Sequence, residues 1–290
     1  MDLKERLKTH LTHIARERDP YLATGGRLYV QHYIHQQLEQ WGIVETHKFE
    51  VRGTKYQNLV LNLPHIVSNS SKQKPLILIG AHYDAVPGSP GADDNATGVA
   101  VLLELARLLS SSQETSLLNK PIKYPVRLVA FDMEEFGLLG SSQYAADLKQ
   151  QQQPLRLMIS LEMLGYTDST SGSQKAPTLL RYFFPNRGDF ISLIGNWLTI
   201  PDLISLSGNI RQSGVPCNWL FAGKKGLILP ETRRSDHAPF WDCNYPALMI
   251  TDTAHLRNPH YHKASDRIET LDLNFLTGVC QGLVQGIRCL

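Results

Sequence analysis

The chain is poor in cysteine and has no long apolar run. Its four cysteines, Cys217, Cys243, Cys280 and Cys289, form no CxxC pair and are widely spaced, which argues against a thiolate zinc site and a disulfide framework. No stretch approaches the ~20 apolar residues of a membrane helix, and the charged N-terminus lacks the apolar segment of a signal peptide. We therefore expect a cytoplasmic protein with reduced, buried thiols and no membrane partner.

An excess of one charge is also absent. The 290 residues contain 29 Lys+Arg and 27 Asp+Glu, giving a net charge of +2, so there is no electrostatic case for binding nucleic acid. Hydrophobic residues make up 42% and charged residues 19%, as in an ordinary globular enzyme with a substantial core. Because no linker or repeat divides the chain, we predict a single domain over 1–290. Nothing in the sequence indicates an oligomeric state.

The first part of the chain predicts two helices and then two strands. Helical spacing of apolar residues indicates helices over Asp2–Arg18 and Tyr21–Trp41. Ile43–Val51 and Tyr56–Leu63 are typical of strands joined by a turn. The polar run Ser68–Lys74 predicts a surface loop.

The rest of the chain alternates short apolar runs with helical patterns. The predicted buried strands are Pro75–Ala81, Val126–Phe131, Leu155–Leu161 and Tyr245–Thr251. The predicted helices are Thr97–Leu109, Gly140–Lys149, Phe190–Ile200 and a closing helix from Leu271 to the C-terminus. This alternation predicts an α/β fold, a three-layer sandwich around a mostly parallel mixed central sheet.

Carboxylates and imidazoles follow four of the predicted strands. In open α/β sheets, ligands bind beyond the carboxyl ends of the strands, so these side chains are expected at one sheet edge. In chain order they are His82, Asp84, Asp93, Asp94, Glu134, Glu135, Glu162, His260 and His262. Each has an ordinary structural explanation when taken alone, such as capping of the next helix by Asp93 and Asp94.

Their joint occurrence favours a metal site. Several carboxylates at one edge would repel one another and raise each other's pKa, and a divalent cation removes that repulsion. Imidazole and carboxylate ligands without thiolate suit zinc and, less specifically, Mn or Co. Glu134 and Glu135 are adjacent, so one is able to bind metal while its neighbour stays free as a general base.

Four sequence blocks resemble one known family. GAHYDAVPGSPGADDNATG, FDMEEFGLLGS, SDHAPFWD and NPHYHKASD together resemble the M28 family of zinc exopeptidases, over roughly Leu76 to Leu271. That family includes bacterial aminopeptidases, the glutamate carboxypeptidase II group and the glutaminyl cyclases. The resemblance implies a zinc exopeptidase fold and two zinc ions.

The resemblance also implies a role for each site residue. The implied metal ligands are His82, Asp94, Glu135, Glu162 and His262, with Asp94 as the bridge between the two ions. The implied catalytic residues are Asp84, which orients His82, Glu134 as the general base, and Tyr261, which polarises the scissile carbonyl. Asp236 and His237 match a block beside the active site, where they are expected behind the ligands or against the substrate. Many family members have Asp where this chain has Glu162.

The function implied is that of an aminopeptidase acting on a peptide with a free N-terminus. Two alternatives stay open. The first is a single-zinc glutaminyl cyclase, which forms pyroglutamate from an N-terminal glutamine. The second is a metal-free relative that serves as a receptor or scaffold. Against both, every ligand position holds a side chain able to bind metal.

Overall fold

A computed structural model describes residues 1–64, 74–110, 122–176 and 185–290. The strands are β1 (Val44–Val51), β2 (Thr54–Asn62), β3 (Leu76–His82), β4 (Val126–Phe131), β5 (Leu155–Glu162), β6 (Ile191–Gly195), β7 (Cys217–Phe221) and β8 (Ala247–Thr251). The α-helices are α1 (Leu3–Ile14), α2 (Thr24–Glu39), α3 (Gly98–Ser110), α4 (Leu139–Gln150), α5 (Ile200–Gln212), α6 (His237–Asp242) and α7 (Leu273–Cys289).

The strands form one mixed sheet in the order β1-β2-β4-β3-β5-β8-β6-β7. Strand β3 pairs in parallel with β4 and β5, β5 with β8, and β6 with β7. The pairs β1–β2, β2–β4 and β6–β8 are antiparallel. Helices cover both faces, so the predicted three-layer α/β sandwich is confirmed.

The central strand β3 shows why the sheet lies between two layers of helices. All seven of its residues are buried, and successive side chains point to opposite faces. Ile77 and Ile79 join the larger apolar cluster with α1, α2, α3, α5 and α7, while Leu78 joins the smaller one with α4 and α6. Burial on both faces explains the continuous apolar run. It also fixes His82 at the carboxyl edge of the sheet.

The two N-terminal helices are shorter than predicted. Asp2 caps α1 by accepting the Glu5 N–H, but α1 ends at Ile14 instead of Arg18. The backbone leaves the helical conformation at Ala15, and the buried Arg18 side chain donates to the carbonyl of Ile14, the last residue of α1. Helix α2 likewise begins at Thr24 and ends at Glu39.

The helix predicted for Phe190–Ile200 is wrong. Residues Ile191–Gly195 form β6, and a short 3-10 turn, Trp197–Thr199, leads into α5 at Ile200. A five-residue apolar run has too few residues for its period to distinguish a strand from a buried helix. Strand β7 and helices α5 and α6 were not predicted.

The closing helix is confirmed as α7, with Asp272 accepting the N–H groups of Asn274 and Phe275. The loop predicted for Ser68–Lys74 lies, apart from Lys74, outside the described residues.

Candidate active site

His82 ends β3 and lies beside Asp84, with both side chains buried. Its Nδ1 is 3.5 Å from Asp84 Oδ1. The Asp84 carboxylate also accepts the backbone N–H groups of Glu134 at 3.0 Å and Glu135 at 3.2 Å. One carboxylate therefore faces the His82 ring and also holds the turn that carries the two adjacent glutamates.

Asp94 lies between two imidazole rings. Its Oδ1 is 3.4 Å from His82 Nε2, and its Oδ2 is 3.2 Å from His262 Nε2. Asp94 belongs to the buried segment Ala92–Thr97 ahead of α3, and its backbone N–H donates to Asp266 Oδ2 at 3.1 Å. The two histidines, 180 residues apart in the chain, thus meet at one carboxylate.

Arg18 holds the Asp94 segment from behind, a role that no sequence motif indicated. Its buried guanidinium donates to the carbonyls of Tyr83, Pro90, Gly91 and Asp94. Gly91 has a φ of +54°, and a Cβ there would lie 2.1 Å from the Asp94 carbonyl oxygen and 2.9 Å from Arg18 Nη2. Only glycine fits this conformation and this close approach.

Three sets of side chains in the described residues have potential ligand atoms within 4.8 Å of one another. They are His82–Asp94–Glu162, Asp94–Glu135–His262 and His82–Glu134–Glu135. We call the first set the inner group and the second the outer group. The two groups share Asp94, so its carboxylate would be a common ligand if each group held a cation.

The inner group is buried and well supported. Glu162 ends β5, and its Oε2 lies 3.5 Å from His82 Nε2. Ser235 Oγ donates to the same Oε2 at 2.7 Å, and Ser160 Oγ lies 2.9 Å from Ser235 Oγ. Asp236 follows in the chain, and burial raises its pKa to about 7. These contacts place the two serines behind Glu162, whereas the role of Asp236 stays a prediction.

The outer group is more open. Glu135 Oε2 lies 3.2 Å from His262 Nε2, and the His262 side chain is 37% exposed. The Tyr261 ring stacks on His262 with a 3.7 Å centroid separation. His260 is directed elsewhere, with its Nδ1 3.0 Å from Ser265 Oγ. His262 is therefore positioned by a loop and a ring contact, whereas His82 is positioned by a strand.

Glu134 lies at the junction of the two groups. Its Oε2 is 3.9 Å from His82 Nε2, and its side chain is 9% exposed. Its backbone is held by Asp84, and its neighbour Glu135 belongs to the outer group. This position leaves a carboxylate next to both groups that is not a member of either.

The electrostatics of the site fit divalent cations. Burial, with Asp94 nearby, raises the pKa of Glu135 to about 7, and burial also raises the pKa of Glu162. Burial opposes protonation of His262, yet the surrounding carboxylates raise its pKa to about 10. Both ring nitrogens of His82, Asp94 Oδ2 and Glu135 Oε1 are buried without a hydrogen-bond partner.

Buried nitrogen and carboxylate oxygen atoms of this kind cost free energy when nothing binds them. Imidazole nitrogen and carboxylate oxygen are ligand atoms that zinc prefers, so the residues present fit the metal that the sequence indicated.

His237 lies in the core, away from both groups. Its Nε2 donates to the Thr232 carbonyl at 2.7 Å, and its ring meets Trp241 edge-on at 4.4 Å. Burial lowers the pKa of His237 to about 3. The ring supports the segment that carries Ser235, and its role towards ligands or substrate stays a prediction.

A cavity of about 230 Å³ opens beside Glu162 and Tyr261. Its apolar lining includes Ile194, Leu220, Leu229, Met249 and Leu256. Besides Glu162 and Tyr261, three further charged or titratable side chains line it, and they are Glu231, Arg234 and His255. Arg234 Nε lies 3.3 Å and His255 Nε2 lies 3.7 Å from Glu231 Oε2, so these groups are occupied with one another.

Two sequence comparisons decide the family. The model of peptidase family M28 matches residues 59–185. The uncharacterized protein YfbL of Escherichia coli (strain K12) is 36% identical over 248 residues, which cover 81% of this chain and 71% of YfbL. The chain belongs to peptidase family M28. It is also similar to aminopeptidase YwaD of Bacillus subtilis (strain 168), with 40% identity over 203 residues, covering 68% of this chain but only 37% of YwaD.

Solved structures share the fold of this M28 chain. LapA aminopeptidase of Legionella pneumophila superposes with a TM-score of 0.72 at 22% identity, covering 99% of this chain and 71% of LapA. The zinc aminopeptidase BSAP of Bacillus subtilis gives a TM-score of 0.59 at 25% identity, covering 81% of this chain and 50% of BSAP. The predicted fold class and family resemblance are thereby confirmed.

The structure also bears on the cysteine and membrane predictions. All four cysteines are free; Cys217 and Cys280 are buried, but Cys243 is partly exposed and Cys289 is exposed. The expectation that all four are buried is therefore wrong, because α7 ends at Cys289 on the surface. In the described part of the chain, no helix is long and apolar enough to cross a membrane.

Proposed function

We propose that this M28 peptidase is an aminopeptidase that works with two zinc ions. The observation that carries the proposal is the pair of ligand groups sharing Asp94. In it His82, Asp94 and Glu162 would hold one ion, and Asp94, Glu135 and His262 would hold the other. The aminopeptidase relatives support the reaction, and the zinc aminopeptidase neighbour supports the metal, with Mn or Co as alternatives.

The bound metals would polarise the scissile carbonyl and lower the pKa of water towards about 7. The protein's own contribution begins with Asp84, whose carboxylate faces His82 Nδ1 at 3.5 Å and is proposed to orient the ring. The backbone of Asp94, which carries the shared carboxylate, is held by Arg18 at its carbonyl and by Asp266 at its N–H. This scaffold fixes where the substrate carbonyl is presented.

Glu134 is the proposed general base. Its carboxylate lies beside both groups and belongs to neither, so it is free to accept a proton from the attacking water. The same carboxyl group then gives that proton to the nitrogen of the leaving amine. Tyr261, stacked on His262 at the mouth of the cavity, is proposed to donate its hydroxyl hydrogen to the substrate carbonyl.

The cavity beside Glu162 is proposed to take the side chain of the first substrate residue. Its lining is mainly apolar, and the side chains of Glu231, Arg234 and His255 within it are paired with one another. An apolar side chain would lose no hydrogen bonds on entry, whereas a charged one would be left without a partner. We therefore propose peptides with an apolar N-terminal residue as substrates.

Replacement of Glu134 by Gln tests the proposal. It keeps the size of the side chain but removes the proton acceptor, so we expect kcat on leucine p-nitroanilide to fall by roughly 10²–10⁴-fold. Zinc content should stay near that of the wild type. The matched control is Glu50→Gln, which changes an exposed residue on β1 and should leave both quantities unchanged. An active Glu134→Gln enzyme with normal metal content would refute the assignment of the base.

The cyclase and scaffold alternatives predict different metal chemistry. A single-zinc cyclase needs one ligand group, and the presence of two groups sharing Asp94 favours the peptidase. Release of ammonia from glutaminyl peptides, without hydrolysis of leucyl peptides, would support the cyclase. Failure to take up zinc at all would support a scaffold.

A cytoplasmic location also stays a proposal, supported by the four free cysteines. Fractionation of cells that express the natural gene, with this chain detected by antibody, tests it directly.

A further inference from the structure

The two edges of the sheet differ sharply in chemistry. At one edge, β1 carries the exposed charged residues Glu45, Lys48 and Glu50. At the other edge, β7 has the sequence CNWLF, with no charge and no proline. Charged residues on an edge strand discourage pairing with another chain, and β7 lacks this protection.

The outer side of β7 presents unpaired backbone groups. Ile191 N–H donates to the Pro216 carbonyl, and Ala222 N–H donates to the Gly195 carbonyl. Since backbone groups alternate sides along a strand, those of Trp219 and Phe221 point away from β6. The Arg211 side chain occupies the outward carbonyl of Cys217. Within the described residues, nothing bonds to the outward groups of Trp219 and Phe221.

Large apolar side chains surround these groups. Trp219 is 40% and Phe221 44% exposed, while Trp197 is 54% and Leu198 39% exposed. Trp197 belongs to the same surface because its N–H donates to the carbonyl of Gly223, two residues beyond β7. We call Trp197, Leu198, Trp219 and Phe221 the aromatic edge.

We propose that the aromatic edge is a dimer interface, in which β7 pairs antiparallel with β7 of a second copy of this chain. A two-fold axis between Trp219 and Phe221 would place each Trp219 opposite Phe221 of the second copy. The outward N–H and C=O groups of these two residues then satisfy one another, because each copy offers equal numbers of donors and acceptors.

Charge and area both favour a second copy as the occupant. The strand residues of β7 are all uncharged, so self-pairing sets no like charges of the strand opposite one another, which is the usual obstacle when a strand meets its own sequence. The aromatic edge leaves roughly 350 Å² of apolar surface exposed, taking on the order of 150–250 Å² for a whole aromatic side chain. A standard interface buries about 800 Å² per partner, of which about three-fifths is apolar, so this patch supplies most of the apolar share.

Sedimentation velocity of the zinc-loaded full chain, from about 1 to 100 μM, tests the proposal over the usual range of dimer affinities. We expect a monomer–dimer equilibrium in the wild type. Trp219→Lys and Phe221→Lys each place a charge at the axis and should weaken the dimer at least ~100-fold. Their peptidase activity should persist, since neither side chain lines the substrate cavity. The matched control, Ile43→Lys, changes an 85% exposed residue beside β1 and should leave the dimer intact.

Hydrogen exchange on the wild type provides a test that needs no variant. Exchange of the Trp219 and Phe221 amides should slow as the concentration rises through the dimer range. A wild-type chain that stays monomeric throughout overturns the proposal, and such a result would point to another protein's strand as the partner. A dimer that survives both lysine variants, or in which these two amides exchange as fast as in the monomer, also overturns it.

Discussion

The inner and outer ligand groups share Asp94 but are built in different ways. His82 and Glu162 of the inner group lie at the ends of buried strands, and Asp84 and Ser235 contact them from behind. His262 of the outer group lies on a loop, is 37% exposed and is supported by the Tyr261 ring. From this difference we expect the inner group to bind its metal tightly and the outer group to exchange its metal more easily.

The shared ligand should show the largest effect. Asp94→Asn removes the negative charge that both groups use, so we expect both metals to bind weakly. Activity on leucine p-nitroanilide should fall by about a thousandfold, equivalent to ~4 kcal/mol of transition-state stabilisation. Mass spectrometry measures the loss of metal, and kcat/KM measures the loss of activity. Retention of two tightly bound ions would break the claim that Asp94 is the bridge.

The two histidine ligands should differ in how strongly they affect zinc retention. In a competition with a chelator, His82→Ala should release the tightly held zinc, whereas His262→Ala should lose only the weaker one. The reason is that the inner group is held rigidly before the metal binds, so less ordering is needed. His32→Ala, an exposed histidine on α2, serves as the control. Equal zinc affinities in the two ligand variants would remove the distinction between the groups.

Ser235 tests the support behind the inner group without removing a ligand. Its hydroxyl donates to Glu162 Oε2, and loss of such a contact typically weakens metal affinity by about 10–100-fold. We expect Ser235→Ala to weaken the tighter zinc site by about 10-fold and to leave the weaker one unchanged. The exposed Ser169→Ala is the control. An equal effect on both zinc sites would show that Ser235 acts on the whole fold.

His237 offers a smaller test, one of stability. Its pKa is lowered from 6.5 to about 3 by burial, so between these values the unfolded chain binds a proton that the folded chain does not. Proton binding by His237 in the unfolded chain does not affect the free energy of unfolding above pH 6.5. As the pH drops towards 3, it lowers that free energy, by about 2 kcal/mol at pH 5.

Urea unfolding of the metal-free chain at several pH values measures this dependence. His237→Gln should be less stable near pH 8, because it loses the packing on Trp241, yet show a shallower decline on acidification. An identical decline in wild type and variant would rule out His237 as a source of acid sensitivity.

The positions of two candidate ligands were predictable because these residues follow apolar strands. His82 and Glu162 sit at the strand ends where the runs PLILIGA and LRLMISL placed them. The misassigned Phe190–Ile200 did not affect the site, because β6 supplies no ligand. The support by Arg18 was invisible, since its contacts to Tyr83 and Gly91 join residues more than 60 positions apart. Local patterns carry no information about such contacts.

Calorimetric titration of zinc into the metal-stripped chain tests the central claim most directly. The account predicts two equivalents with different affinities for the wild type, and one equivalent, the tighter, for His262→Ala. A single equivalent in the wild type, or two in His262→Ala, would contradict it.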